Sequence, residues 1–176
     1  MKLKILPLML VMPVLTGCAS NGKVNDKSYL RAAAVDGEKI TFSFFSDEDE
    51  NITVNADNLG EAKKSAELST GKEIFTGYTE LMLLDGSNST DTLSYALNEW
   101  KVSPACEIVS PERNGAELLG KCKPEELEGM VKTAIDQKLA EKCDIISVLG
   151  SLLSTGGKTA VPKLSENGFC GNTNIN

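Results

Sequence analysis

Residues 124–143 read PEELEGMVKTAIDQKLAEKC, and the period of this stretch decides the fold class. Proline suits the first helical position, where its missing N–H would find no partner anyway, and Glu125 and Glu126 meet the positive end of a helix. Leu127, Val131, Ile135, Leu139 and Cys143 then recur every four residues, and Met130 and Ala134 widen the stripe. Lys132, Asp136, Gln137, Lys138, Glu141 and Lys142 fall mostly elsewhere on the wheel. The pattern predicts one long amphipathic helix packed on a core. It continues through IISVLGSLLS (145–154) to a stop at Gly156–Gly157. Use of the stripe as a partner-binding face is the competing reading.

Upstream the period changes. In EKITFSFF (38–45), Ile40, Phe42 and Phe44 alternate with Thr41, Ser43 and Phe45, as in a half-buried strand. A charged tip, SDEDEN, leads into ITVNA (52–56), which completes a predicted hairpin. Residues 59–69 predict a short helix ended by Gly71. In 77–103, Asp85–Gly86 marks a turn. Leu93, Tyr95 and Leu97 alternate, which reads as a second strand after the loop. A helix capped at Ser89 or Thr90 and running to Trp100 competes with it. The tail SENGFCGNTNIN (165–176) is polar and reads as loose beyond Cys170. The expected fold is α+β: a small antiparallel sheet followed by a long amphipathic helix, tied by disulfides.

The first residues answer a different question. Lys2 and Lys4 precede an uncharged run, Ile5–Val14, too short to span a bilayer core of about 30 Å. A positive start, a short apolar centre and small residues at the end form a secretory signal. Leu15-Thr16-Gly17-Cys18 resembles the lipobox of bacterial lipoproteins. The resemblance implies that the Cys18 thiol accepts a diacylglycerol, that the chain is cut before it, and that the new amine is acylated, commonly with palmitate. Two or more acyl chains hold a protein stably at a membrane where one does not. Ala19 and Ser20 follow the cysteine instead of the Asp that commonly retains such proteins at the inner membrane. The resemblance therefore implies the outer membrane, on its periplasmic face or the cell surface. The chain divides into a signal peptide (1–17), a lipidated tether (18–28) and one domain (29–176).

Removal of residues 1–17 leaves 159 residues, and Lys+Arg falls from 18 to 16 against 25 Asp+Glu, a side-chain charge of −9. Such a surface disfavours nucleic acid, whose phosphates need a positive partner. Histidine is absent, which removes Ser-His-Asp and Cys-His nucleophiles and the usual zinc catalysts. Aromatics form 5% of the chain, which argues against a stacking platform for sugars or bases.

With Cys18 lipidated, Cys106, Cys122, Cys143 and Cys170 remain, and an even count in an exported chain predicts two disulfides. Three pairings are open. Cys106–Cys122 with Cys143–Cys170 closes the shorter rings. The gaps of 16, 21 and 27 residues do not suit a four-thiolate metal site.

Three stretches look like chemistry. GSLLSTGGKT (150–159) lacks the glycine spacing of a phosphate-binding loop, so no nucleotide is expected. DEDENITVNADN (47–58) fits a calcium loop at Asp47, Asp49 and Asn51 but has Ile52 and Asn58 where Gly and Glu belong. Ser69-Thr70-Gly71-Lys72 matches only two residues of a Ser-x-x-Lys nucleophile. No catalytic residue, metal or cofactor is expected. The leading expectation is a non-enzymatic envelope lipoprotein that binds a protein or an envelope polymer. A small-ligand carrier of lipocalin-like or META-type architecture, and a cell-wall enzyme built on two carboxylates, are the alternatives.

Overall fold

The structure is a computed structural model and describes residues 27–45, 51–154 and 156–176. The signal segment, Cys18 and residues 19–26 lie outside the described residues. The chain runs β1 (Lys27–Asp36), β2 (Lys39–Phe44), β3 (Ile52–Asn55), α1 (Leu59–Thr70), β4 (Glu73–Phe75) and β5 (Leu81–Leu84). It continues with α2 (Ser89–Asn98), β6 (Glu107–Pro111), α3 (Gly115–Lys121), α4 (Pro124–Asp136), α5 (Ile145–Ser154), β7 (Thr159–Ser165) and β8 (Gly168–Ile175).

One eight-stranded sheet forms in the order β3-β2-β1-β5-β6-β7-β8, with β4 paired to β1 ahead of β5. The centre, β1-β5-β6-β7, is parallel. The hairpins β1-β2-β3 and β7-β8 are antiparallel and close the two sides. Val35 and Ile40 stand as a cross-strand pair on the face where Leu59 of α1 and Tyr95 of α2 approach. Ala34 and Asp36 present the other face to α3. Helices therefore cover both faces, and the parallel strands are buried almost without alternation. Leu81–Leu84 are all buried, as are Ala32–Val35.

This mixed α/β architecture replaces the expected small antiparallel sheet and long helix. The apolar stripe from Pro124 does form a helix, but α4 stops at Asp136. Lys138 has φ 59, a left-handed conformation that ends the helix after Gln137. Leu127, Val131 and Ala134 are buried, Ile135 is half-buried, and Leu139 is 53% exposed because it lies beyond the break. Asp144 then bridges Glu107, and IISVLGSLLS is a separate helix, α5. The second strand expected around residue 93 is α2: Leu93, Ala96 and Trp100 are buried at helical spacing. The polar tail forms β8, pairing with β7 from Ser165↔Gly168 to Thr159↔Ile175. The hairpin β2-β3 and helix α1 stand where the sequence puts them. Asn58 accepts from the Glu61 amide at 3.0 Å to start α1, and Gly71 (φ 66) ends it.

The predicted disulfides are absent: Cys106, Cys122, Cys143 and Cys170 are all free thiols. Cys106 and Cys143 lie next to each other through the Glu107–Asp144 bridge, where the Ile145 amide donates to the Cys106 carbonyl at 2.8 Å. Cys122 caps the end of α3, which packs on β1 and β2, and Cys170 is on the edge strand β8, with β7 between it and β6. Among the described residues no helix is long and apolar enough to cross a membrane.

The α4 boundary has a direct test. Leu127→Ala should cost about 2–5 kcal/mol of unfolding free energy, whereas Leu139→Ala should stay within about 0.5 kcal/mol of wild type. Equal losses in urea titrations would restore the unbroken helix.

Candidate functional site

In an open parallel sheet the place for a ligand is the crevice beyond the carboxyl ends of the strands, where chain connections diverge. Here β1 turns back toward β2, while β5 proceeds outward to β6, so the divergence lies between β1 and β5. A crevice of about 600 Å³ opens there, walled by Gly37 and Glu38 after β1, Asp57 and Asn58 before α1, and Ser87, Asn88, Asp91 and Tyr95 of α2 and its approach.

Two aspartates at the strand ends build this region. Asp36 accepts from the Gly115 and Ala116 amides at 2.9 and 3.0 Å, which holds the start of α3 against β1. The approach is close: a Cβ on Gly115 would stand 2.7 Å from the Ala34 methyl. Asp85 accepts from the Gly37 amide through one oxygen and from the Ser87 amide and hydroxyl through the other, at 2.8, 2.8 and 2.6 Å. It thereby ties the β1-β2 turn to the β5-α2 turn. Both carboxylates are occupied in positioning loops. The Tyr95 hydroxyl packs on Gly60, where a side chain would collide with it, and so fixes the distance between α1 and α2. Glu38, Asp57 and Asp91 remain along the walls, with no lysine or arginine among the lining residues. The crevice is thus a negative one, suited to ammonium, guanidinium or amide donors rather than to anions. Among the described residues, no group of three or more Cys, Asp or Glu side chains is arranged to hold a metal ion.

A second cluster of carboxylates lies at the opposite, amino end of the strands. Arg31 donates from Nε to Glu80 and from Nη1 to Glu125 of α4, both at 2.9 Å. Lys132 pairs with Glu128 on α4. Glu107, at the start of β6, has one carboxyl oxygen buried without a hydrogen-bond partner. Burial first, then Glu128, pushes its carboxyl up to about 7; Lys132 partly opposes this and Glu80 adds to it. A carboxyl raised in this way, facing a second one, is what a glycoside-cleaving pair needs. Glu107, however, lies next to Glu128 and Lys132 of α4 and does not line the crevice at the carboxyl ends of the strands.

The residues singled out in the sequence are scattered. Cys106 and Cys143 are buried, and burial, with Glu107 next, raises both thiols, Cys143 to about 12. Burial also raises Cys122. Cys170 is exposed and donates to the Ser165 hydroxyl at 3.1 Å. None of the four lines the crevice. The phosphate-loop look-alike runs from helix α5 to strand β7, the reverse of strand-loop-helix. The calcium-loop look-alike has Ile52–Asn55 in β3, and Asn51 donates its amide to the Leu119 carbonyl at 2.8 Å. Ser69 donates its hydroxyl to the Ala66 carbonyl of α1 at 2.9 Å. In the sequence Asp85-Gly86 reads only as a turn and Asn58 only as the last place of a calcium-loop look-alike; the signals that could have pointed to the crevice are Asp85 directly after the apolar run LMLL and Asn58 just before a helix. Searches with protein-family models, among curated proteins and among solved structures find no match to this chain.

Glu107 gives a pH signature. Its folded-state value lies above the ordinary 4.5, so the stability it contributes is present below that value and is lost as pH rises through about 7. Glu107→Gln, a permanent mimic of the neutral acid, should match wild type at about pH 5 and exceed it by about 1–2 kcal/mol at about pH 8. The figure is reduced from the full shift because the carboxyl is partly exposed. Parallel pH profiles of Tm for the two proteins would refute the assignment. Thiol titration is a second check: among these four cysteines, the native protein should expose only Cys170, and the denatured chain all four.

Proposed function

We propose that this chain is a bacterial envelope lipoprotein, held at the outer membrane by lipid on Cys18, whose domain is a non-enzymatic accessory module that binds a protein partner. The reading of the N-terminal segment rests on Leu15-Thr16-Gly17-Cys18. The observation that carries the binding role is the crevice between β1 and β5, negative on its walls and rigidly built at its base. An envelope polymer with amine or amide groups meets the same chemistry, but three carboxylates across about 600 Å³ suit a lysine- or arginine-bearing segment of a protein best. Tethering raises the effective concentration of such a partner, so that modest contacts suffice. A carrier would need an apolar interior, whereas here helices cover both faces of the sheet and its core is filled by side chains such as Phe42, Met82 and Ile108.

Cys18→Ser should move the protein from the membrane pellet to the soluble periplasmic fraction; continued pelleting would argue against the anchor. For the crevice, Asp91→Lys should cut recovery of the crosslinked partner about tenfold, equivalent to about 1.4 kcal/mol, and added salt should weaken the wild-type complex. A partner captured equally by wild type and variant, at any salt, would place the binding surface elsewhere.

A further inference from the structure

Scarce aromatics collect at the amino end of the sheet. Phe45, at the end of β2, donates its amide to the Tyr29 carbonyl at 2.9 Å, and Tyr29 is the parallel partner of Phe75 on β4. Three neighbouring strands thus bring three aromatic residues into one row. Tyr78 stacks on Tyr29 with ring centroids 5.9 Å apart and meets Phe75 edge-on at 5.1 Å, while Tyr29 and Phe75 are 5.7 Å apart. The Arg31 guanidinium lies 4.8 Å from the Phe45 ring centroid. Phe45, Phe75 and Tyr78 are 42, 37 and 60% exposed. Rings so placed gain little from the core, and a contiguous exposed apolar group of this kind marks a surface that meets something else.

We infer that this aromatic row sits in the headgroup interface of a zwitterionic phospholipid bilayer and holds the domain with its carboxyl-end crevice turned away from the membrane. The inference rests on the lipid anchor proposed above. Cys18 lies nine residues before Lys27, so the covalent chain can separate the anchor from the start of β1 by no more than about 30 Å. The end of the sheet that carries the rings is therefore the end held at the bilayer. Tyrosine suits that depth, with an apolar ring and a polar tip. Charge selects the lipid. Arg31 is held by Glu80 and Glu125 and Lys27 by Glu73, so these two cations next to the rings are neutralised by carboxylates and give little grip on an anionic headgroup. Aromatic faces beside carboxylates favour the ammonium of choline or ethanolamine.

The test uses the full acylated chain carrying Tyr78→Trp, reconstituted in phosphatidylcholine vesicles, with the parent protein subtracted to remove the buried Trp100 signal. Acylation is first verified by mass. Emission from the introduced indole should shift to the blue and lose most of its intensity when the lipid is brominated near the headgroups. Phe45→Trp should report the same and serves if Tyr78→Trp does not fold. An acylated protein that binds vesicles while both reporters stay accessible to acrylamide overturns the inference and leaves the anchor intact, the rings then facing a protein or a glycan. Quenching that requires phosphatidylglycerol overturns it as well. If the protein proves unacylated, the anchor reading falls and the inference falls with it, an outcome distinct from an acylated protein whose reporters stay accessible.

Discussion

Along β1 the backbone has almost no access to water. Leu30 and Ala32–Val35 are buried, and an amide or carbonyl there must find a partner within the protein or cost the molecule its desolvation. Only strands on both edges can satisfy such a segment, and β2 on one side and β4 then β5 on the other do so. The run of alanines adds a second demand. Small side chains leave room that only a close neighbour fills, and Gly115 of α3 supplies it by coming to where a Cβ would touch Ala34. Asp36 then holds that helix in place through two amides whose residues lie about eighty positions further along the chain. Pairing, close approach and capping at one strand thus fix the sheet order and the start of α3.

What the sequence reveals follows from how much solvent each element touches. The residue alternation of β2 marks a strand, but Ile40, Thr41, Phe42 and Ser43 are all buried and the strand is not half-buried as expected. β3 alternates because one side is wetter than the other, and its pattern is readable. The period of α4 is readable for the same reason as far as Asp136. Its end is not, because the break at Lys138 depends on one backbone angle that no side-chain pattern announces. β1 shows no alternation, being covered on both faces, and SYLRAAAVD reads as neither strand nor helix. β8 fails in the opposite sense: it is an edge strand rich in glycine, asparagine and threonine, with only Phe169 and Ile175 turned to the core, too few apolar residues to show a period. Cysteine parity misled because an even number arises without pairing, and burial keeps three of these thiols apart from solvent and from oxidant alike.

The candidate site was less legible than the fold. Glu38, Asp57 and Asp91 are separated by 19 and 34 residues, and only the order of the strands brings them round one opening. The aromatic row shows the same limit. A low aromatic count argued against any platform, yet Phe45, Tyr29 and Phe75 become neighbours once β2, β1 and β4 are in register. Composition bounds how many such residues exist. It is silent on where a sheet gathers them.

The architecture leaves few places for function. Helices occupy both faces of the sheet, and its outer strands are blunted: β3 is four residues long, and β8 carries Asn172 and Asn174. The two ends of the strands remain, and they differ in chemistry. At the carboxyl ends, loop amides converge on Asp36 and Asp85, which hardens the base of an open negative crevice. At the amino ends, Arg31 bridges Glu80 and Glu125 and so locks α4 to the sheet next to a group of exposed rings. The two ends differ because the central strands all point the same way: loop amides and helix starts gather at one, and Arg31 with its carboxylates and the exposed rings gathers at the other.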